Sequence, residues 1–205
     1  MTLIAALAVF PLAASASALD QFKTFAKTTK SAKGEFTQRL VRQDAKAGGV
    51  KMSNPSNGTF AFSRPGKFIW TYKTPYEQVL QADGETLYIY DKDLNQVTSK
   101  KLGNALGSSP AAILFGSNDL EQNFTLKEAG EKDGMEWLEA VPKSKDTNFE
   151  RIGIGLKEGL PRAMELRDSF GQVTLLWLDK FEKNPNMLAS QFKFTVPKGA
   201  DVFSE

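Results

Sequence analysis

The spacing of apolar residues changes several times along this chain. From Leu3 to Ala14 they run almost without interruption. From Leu19 to about Lys30 they fall three or four apart, with Phe22, Phe25 and Ala26 on one side and Lys23, Lys27 and Lys30 elsewhere. That spacing predicts a short amphipathic helix. From Gly34 the period drops to two, and Phe36, Gln38 and Leu40 alternate with Glu35, Thr37, Arg39 and Val41 as in a strand. Asp44 to Gly49 reads as a loop. Further strands are predicted at Thr59–Ser63, Phe68–Lys73, Gln78–Ala82, Thr86–Asp91 and Gln96–Lys101, with Arg64-Pro65-Gly66-Lys67 and Asp83-Gly84 as turns.

Ser108-Ser109-Pro110 then supplies a cap and first-turn pair for a short apolar helix through Phe115. After it, strands are expected at Phe124–Glu128, Trp137–Pro142, Glu150–Leu156, Arg162–Arg167, Val173–Phe181 and Phe192–Val196. Short strands in close succession with tight turns predict one large antiparallel sheet with two or three helices. No repeat, linker or low-complexity tract divides it.

The first apolar run is too short to span a bilayer and has the length of a signal-peptide core. Ala16-Ser17-Ala18 offers a small-x-small cleavage pattern, so residues 1–18 are expected to be removed, leaving 19–205 as a single domain. No Lys or Arg precedes the run, which points to a start site placed too late or a trimmed chain. The chain has no cysteine, so an exported product relies on packing alone and carries no lipid-modified N-terminal Cys. No later run could span a membrane as a helix. These features together predict a periplasmic location.

Histidine is absent too, which removes the usual general base, the usual metal ligand and the common nucleophilic triads. A hydrolase would have to rely on carboxylates such as Asp83, Asp91 and Asp93, but Asp at these positions suits hairpin turns for backbone reasons. No catalytic residue, cofactor or metal is expected. The 26 basic and 24 acidic residues are interleaved, unlike a nucleic-acid stripe.

Phe60, Phe62, Phe68, Trp70 and Tyr72 share one parity across a hairpin with Arg64 at its turn. The plain reading is a sheet core and an exposed turn cation. The sharper reading is a cavity wall. Fifteen Phe and three Trp make a bulky lining, and the few predicted helices are too short to cover such a sheet. In that reading Arg64, with five fixed donors, latches the carbonyls of a facing helix end or lid.

The run Gly58-x-Phe60-x-Phe62-x-Arg64-Pro65-x-x-Phe68-x-Trp70-x-x-x-x-Pro75 resembles the central signature of the LolA family of periplasmic lipoprotein carriers. So do Asp83-Gly84-x-x-Leu87-Tyr88-x-Tyr90-Asp91, Phe36-Thr37-Gln38 and the closing Phe192-x-Phe194-x-x-Pro197-x-Gly199-x-x-Val202. Tyr88 stands where tryptophan is frequent, and residues between Asp119 and Asn186 carry little signature.

The resemblance implies a mainly β fold with short helices: an unclosed antiparallel half-barrel whose helical lid encloses a hydrophobic cavity. It implies a monomeric, non-enzymatic carrier that shelters lipoprotein acyl chains, takes them from an inner-membrane Lol ABC transporter and hands them to the outer-membrane receptor LolB. Phe36, Phe60, Phe62, Phe68, Trp70 and Tyr72 would line the cavity. Phe22, Phe25, Ile113, Leu114 and Phe115 would belong to the lid, and Arg64 would be its latch. The alternatives are a binding or sensor protein for another lipid on this scaffold, or a purely structural envelope protein.

Overall fold

The computed structural model describes residues 16–44, 48–105, 110–116, 120–144 and 147–205. The apolar run at 3–14 and the expected cap at Ser108-Ser109 lie outside them. Helix α1 (Ala18–Thr28) opens the described chain, followed by strands β1 (Ser31–Asp44), β2 (Gly49–Met52), β3 (Ser56–Ser63) and β4 (Lys67–Thr74). Then come β5 (Gln78–Asp83), β6 (Thr86–Asp91), β7 (Gln96–Lys101) and the single turn α2 (Leu102–Ala105). A π-helical turn (Ala112–Gly116) and α3 (Leu120–Asn123) lead into β8 (Phe124–Lys132) and β9 (Met135–Pro142). Strands β10 (Phe149–Lys157), β11 (Leu160–Asp168) and β12 (Val173–Lys183), a 3₁₀ turn (Ala189–Phe192) and β13 (Asp201–Ser204) complete the chain.

All thirteen strands belong to one sheet, in the order β13-β7-β6-β5-β4-β3-β1-β12-β11-β10-β9-β8, with β2 paired to β1. The edge strands β8 and β13 do not pair with each other, so the sheet curls without closing. Strand β1 joins the halves, pairing antiparallel with β3 on one side and β12 on the other. Its glycine sits where large rings cross the backbone: a Cβ on Gly34 would lie 2.6 Å from the Phe60 ring, and one on Gly58 in β3 would lie 2.6 Å from Phe36 and 1.9 Å from the Thr71 carbonyl. Glycine at both positions lets neighbouring rings lie flat against the sheet.

One face of the sheet is concave and apolar. On the β3–β6 side it carries Phe60, Phe62, Phe68, Trp70 and Leu80; on the β9–β12 side, Leu138, Ile152, Ile154, Met164, Leu166 and Leu176, all buried. Helix α1 packs across β8–β11, and the π-helical turn packs against β4. Among the described residues no helix is long and apolar enough to cross a membrane.

Two differences from the sequence expectations have clear causes. Phe192–Val196 is not a strand: Phe192 ends the 3₁₀ turn as a buried side chain, and Phe194 stacks on Tyr88 at 4.5 Å. The sheet edge on that side is taken by β13, which pairs parallel with β7. Second, β2 forms in what reads as loop margin, because the far end of the long β1 offers a free edge from Val41 to Asp44.

Candidate functional site

The hairpin β3–β4 sets the site. Its register pairs Phe60 with Trp70 and Phe62 with Phe68, so period two on both strands sends all four side chains to the concave face. All are essentially buried, and Phe36 joins them from β1. Tyr72 is partly buried at the end of the row, where its hydroxyl donates to Gln38 Oε1 at 3.0 Å. Burial pushes its phenol above the ordinary value of 10.0. The buried indole N–H of Trp70 makes no hydrogen bond of normal geometry.

The rings form a continuous column. Tyr72 meets Phe36 edge-on at 5.0 Å, Phe36 stacks on Trp70 at 4.0 Å, and Trp70 lies 6.0 Å from Phe60. Phe115, from the π-helical turn, then enters the column. It stacks on Phe60 at 5.5 Å and on Phe62 at 4.3 Å, with interplanar angles of 21° and 17°. Where the sequence suggested an open hollow, this part of the concave side is therefore occupied by the protein's own rings. Flat faces attract when they touch and lose that attraction when a gap opens, so an apolar roof of this kind settles onto its walls. Ile113 and Leu114 are buried beside Phe115.

Arg64 lies over the end of the column. Its guanidinium carbon is 5.1 Å from the Phe62 ring centre and 5.4 Å from that of Phe25. Its Nε donates to the Thr29 carbonyl at 3.1 Å and its Nη2 to the Leu114 carbonyl at 3.3 Å. Its backbone N–H also donates to the Lys30 carbonyl at 2.8 Å. One side chain therefore joins the turn, the C-terminal cap of α1 and the segment bearing Phe115. Burial pushes its pKa down from the ordinary guanidinium range to about 10, which leaves it cationic at neutral pH.

Helix α1 supplies Phe25, buried against Phe62 and Phe181, and Phe22, which lies 6.5 Å from Phe25. Phe181 is a wall residue that simple alternation misplaces, since Leu176 and Leu178 already occupy the inward parity of β12. Lys180 has φ 48°, and the β1–β12 register shifts between Lys33 and Glu35. That bulge turns Phe181 inward, 5.3 Å from Phe60. No signal in the residue pattern marks it except the neighbouring Gly34.

Open space lies at the margins. A groove of about 740 Å³ at the Tyr72 end is lined by Gln38, Leu40, Tyr72, Pro75, Tyr76 and Leu94, and another of about 610 Å³ runs between α1 and α3. The three aspartates considered for hydrolysis do not gather around a concave active centre. Asp83 accepts from the backbone N–H groups of Glu85 and Thr86 at 2.9 Å, Asp91 accepts from Leu94 N at 3.4 Å, and Asp91 and Asp93 border the Tyr72-end groove.

The family described as outer membrane lipoprotein carrier protein LolA matches residues 27–195 of this chain. The chain belongs to the LolA family. A relative from Cupriavidus pinatubonensis named outer-membrane lipoprotein carrier protein is 62% identical over 204 residues, covering 98% of this chain and 95% of its own. One of the same name from Ralstonia nicotianae is 53% identical over 202 residues, covering 98% and 94%. Among solved structures, a LolA superfamily protein from Nitrosomonas europaea superposes with a TM-score of 0.53 at 10% identity, covering 88% of this chain and 99% of its own. That last likeness speaks for the LolA-type fold.

Proposed function

We propose that this chain is a periplasmic, non-enzymatic carrier of lipoproteins, which houses their acyl chains between the aromatic column and the lid formed by α1 and residues 110–116. It would receive its cargo from an ATP-driven Lol complex in the inner membrane and deliver it, as a monomer, to a LolB-type receptor in the outer membrane. The observation that carries this reading is Phe115, stacked on Phe60 and Phe62 in a segment whose Leu114 carbonyl shares the Arg64 guanidinium with the Thr29 carbonyl at the end of α1. A roof held by stacking and hydrogen bonds can lift without unfolding the sheet, and an acyl chain can then occupy the space Phe115 leaves.

Energetics fit that exchange. Burying a methylene is worth about 0.8 kcal/mol, so one long acyl chain gains on the order of 12 kcal/mol. Two or three chains at full value would exceed the practical limit of about −18 to −21 kcal/mol for noncovalent binding, and cargo held so tightly would not leave. Separating Phe115 from its neighbours and breaking the Arg64 bonds, each about 1.5–3 kcal/mol for a charged donor, offsets part of the gain. The closed lid is then the low-energy partner of the exchange, and delivery runs downhill.

Adding the purified protein to spheroplasts tests the reading. Outer-membrane-type lipoproteins are expected in the supernatant in complex with it. If cargo stays membrane-bound while an authentic family member releases it, the carrier role is wrong. Native mass spectrometry of released complexes distinguishes lipoprotein from any other co-purifying lipid.

A further inference from the structure

We infer that export processing cuts the Ala16–Ser17 bond, so that the mature chain begins at Ser17, and that the Glu128 carboxylate on β8 anchors the helix starting there. The inference rests on the export reading above. The sequence holds two overlapping Ala-Ser-Ala triplets, Ala14-Ser15-Ala16 and Ala16-Ser17-Ala18, and pattern alone accepts a cut after either.

The fold separates them. Ser17 is the N-cap of α1: its hydroxyl oxygen accepts from Asp20 N at 3.2 Å and donates to Asp20 Oδ2 at 3.0 Å, and its carbonyl accepts from Gln21 N at 2.9 Å. Ala18 has no exposed area and sits within the core cluster. The N–H groups of Ala18 and Leu19 both donate to Glu128, to Oε2 at 3.1 Å and Oε1 at 3.0 Å. These are N–H groups that the start of a helix leaves without internal partners, and a carboxylate there also opposes the positive end of the helix dipole.

A cut after Ala18 removes the cap, the carbonyl of the first helical bond, a core side chain and one of the two Glu128 contacts. Among the described residues, a cut after Ala16 removes the bond from Gln21 Nε2 to the Ala16 carbonyl at 2.8 Å. Gln21 keeps its other tie, accepting from Gly159 N at 2.9 Å. The new ammonium at Ser17 stands at the helix start with Asp20 and Glu128 close by. The consequence reaches the lid, because α1 carries Phe22 and Phe25 and is bonded to Arg64 at its other end. Only the longer mature form keeps the Ser17 cap and both Glu128 contacts at the end of α1 opposite Arg64.

The full chain should be expressed in a double-membraned host, and the product recovered from the periplasm for N-terminal sequencing and intact mass. The expected start is Ser-Ala-Leu-Asp. A start at Leu19, or at any other processed position, overturns this assignment while leaving export intact. An unprocessed Met1 start on a chain retained in the cytoplasm overturns export itself. Glu128→Ala tests the anchor in the mature protein. Amide exchange at Ala18 and Leu19 is expected to accelerate by about tenfold, the loss of one net charged hydrogen bond, while β10 and β11 stay protected. Unchanged exchange at both amides, or equal acceleration throughout the sheet, would remove Glu128 from the role.

Discussion

The two halves of the curled sheet bury their concave faces in different ways. From β9 to β12 the lining is largely aliphatic apart from Phe181, with Leu138, Ile152, Ile154, Leu156, Met164, Leu166, Leu176 and Leu178 nearly or wholly buried and α1 packed across β8–β11. Branched side chains of this kind interlock from many directions, and a gap among them is not easily refilled. From β3 to β6 the lining is largely aromatic and its roof is a five-residue π-helical turn. Rings stacked in one direction separate along one direction. They also leave an indole N–H unpaired, a cost that the aliphatic half does not carry. On the proposed carrier reading, one half would hold the fold and the other would open.

Paired truncations would break that division most directly. Leu138→Ala is expected to cost about 2–5 kcal/mol in denaturant unfolding, as buried Leu truncations do, without altering uptake of a fluorescent acyl probe per folded molecule. Phe115→Ala should fall below the about 3–5 kcal/mol usual for a buried Phe, because its short segment can resettle toward Phe62, and it should change probe uptake instead. Equal stability losses with unchanged uptake in both would abolish the distinction between the halves.

A smaller effect is expected at the seam between them. Arg64→Leu removes the side-chain hydrogen bonds to the Thr29 and Leu114 carbonyls and is expected to leave cargo loading in place while slowing transfer to the receptor by on the order of tenfold or more. Arg64→Lys should recover only part of the rate, since one ammonium cannot reproduce the guanidinium fork that reaches Thr29 and Leu114. Loading and transfer assays run on the same preparations decide it: equal loss in both would mean that Arg64 supports folding and not the exchange.

Much of this arrangement was legible in the residue pattern, and what was not has physical reasons. Strict alternation in Phe60-x-Phe62 and Phe68-x-Trp70, with a turn between, announces the hairpin and its buried face. The strands β6 and β7 match their expected bounds because Asp83-Gly84 and a clear apolar run fix the register. Alternation fails at Phe181, where a bulge beside Lys180 changes which parity faces in. It also misleads at Phe192–Val196, where Phe192 and Phe194 pack as single side chains and β13 takes the edge beside β7. The latch was visible only in outline: donors can be counted from Arg64, but the acceptors are backbone carbonyls of Thr29 and Leu114, and carbonyls leave no mark in a sequence. Occupation of the column by Phe115 depends on how far its segment folds inward, which composition does not encode.

The smallest expected effect is an absence of pH dependence, and it too separates the halves. Burial lowers the Arg64 pKa to about 10, below its value in the unfolded chain. For a cation with a lowered folded value, the unfolded chain holds the proton more strongly, so burial of the charge costs stability at every pH well below 10. That cost is relieved only as pH climbs above about 10. The chain contains no histidine, the side chain whose ordinary titration falls between about pH 5.5 and 7. Arg64 on the aromatic half therefore keeps one charge state across that window, and among the described residues the aliphatic half buries no ionisable side chain. Transfer rates measured from about pH 5.5 to 7 at fixed ionic strength should lie flat, within the scatter set by the receptor alone. A step in that window that persists in Arg64→Leu would point to the receptor or cargo. A step that vanishes in the variant would mean that Arg64 is coupled to a titrating group, and the latch would have to be rebuilt around that partner.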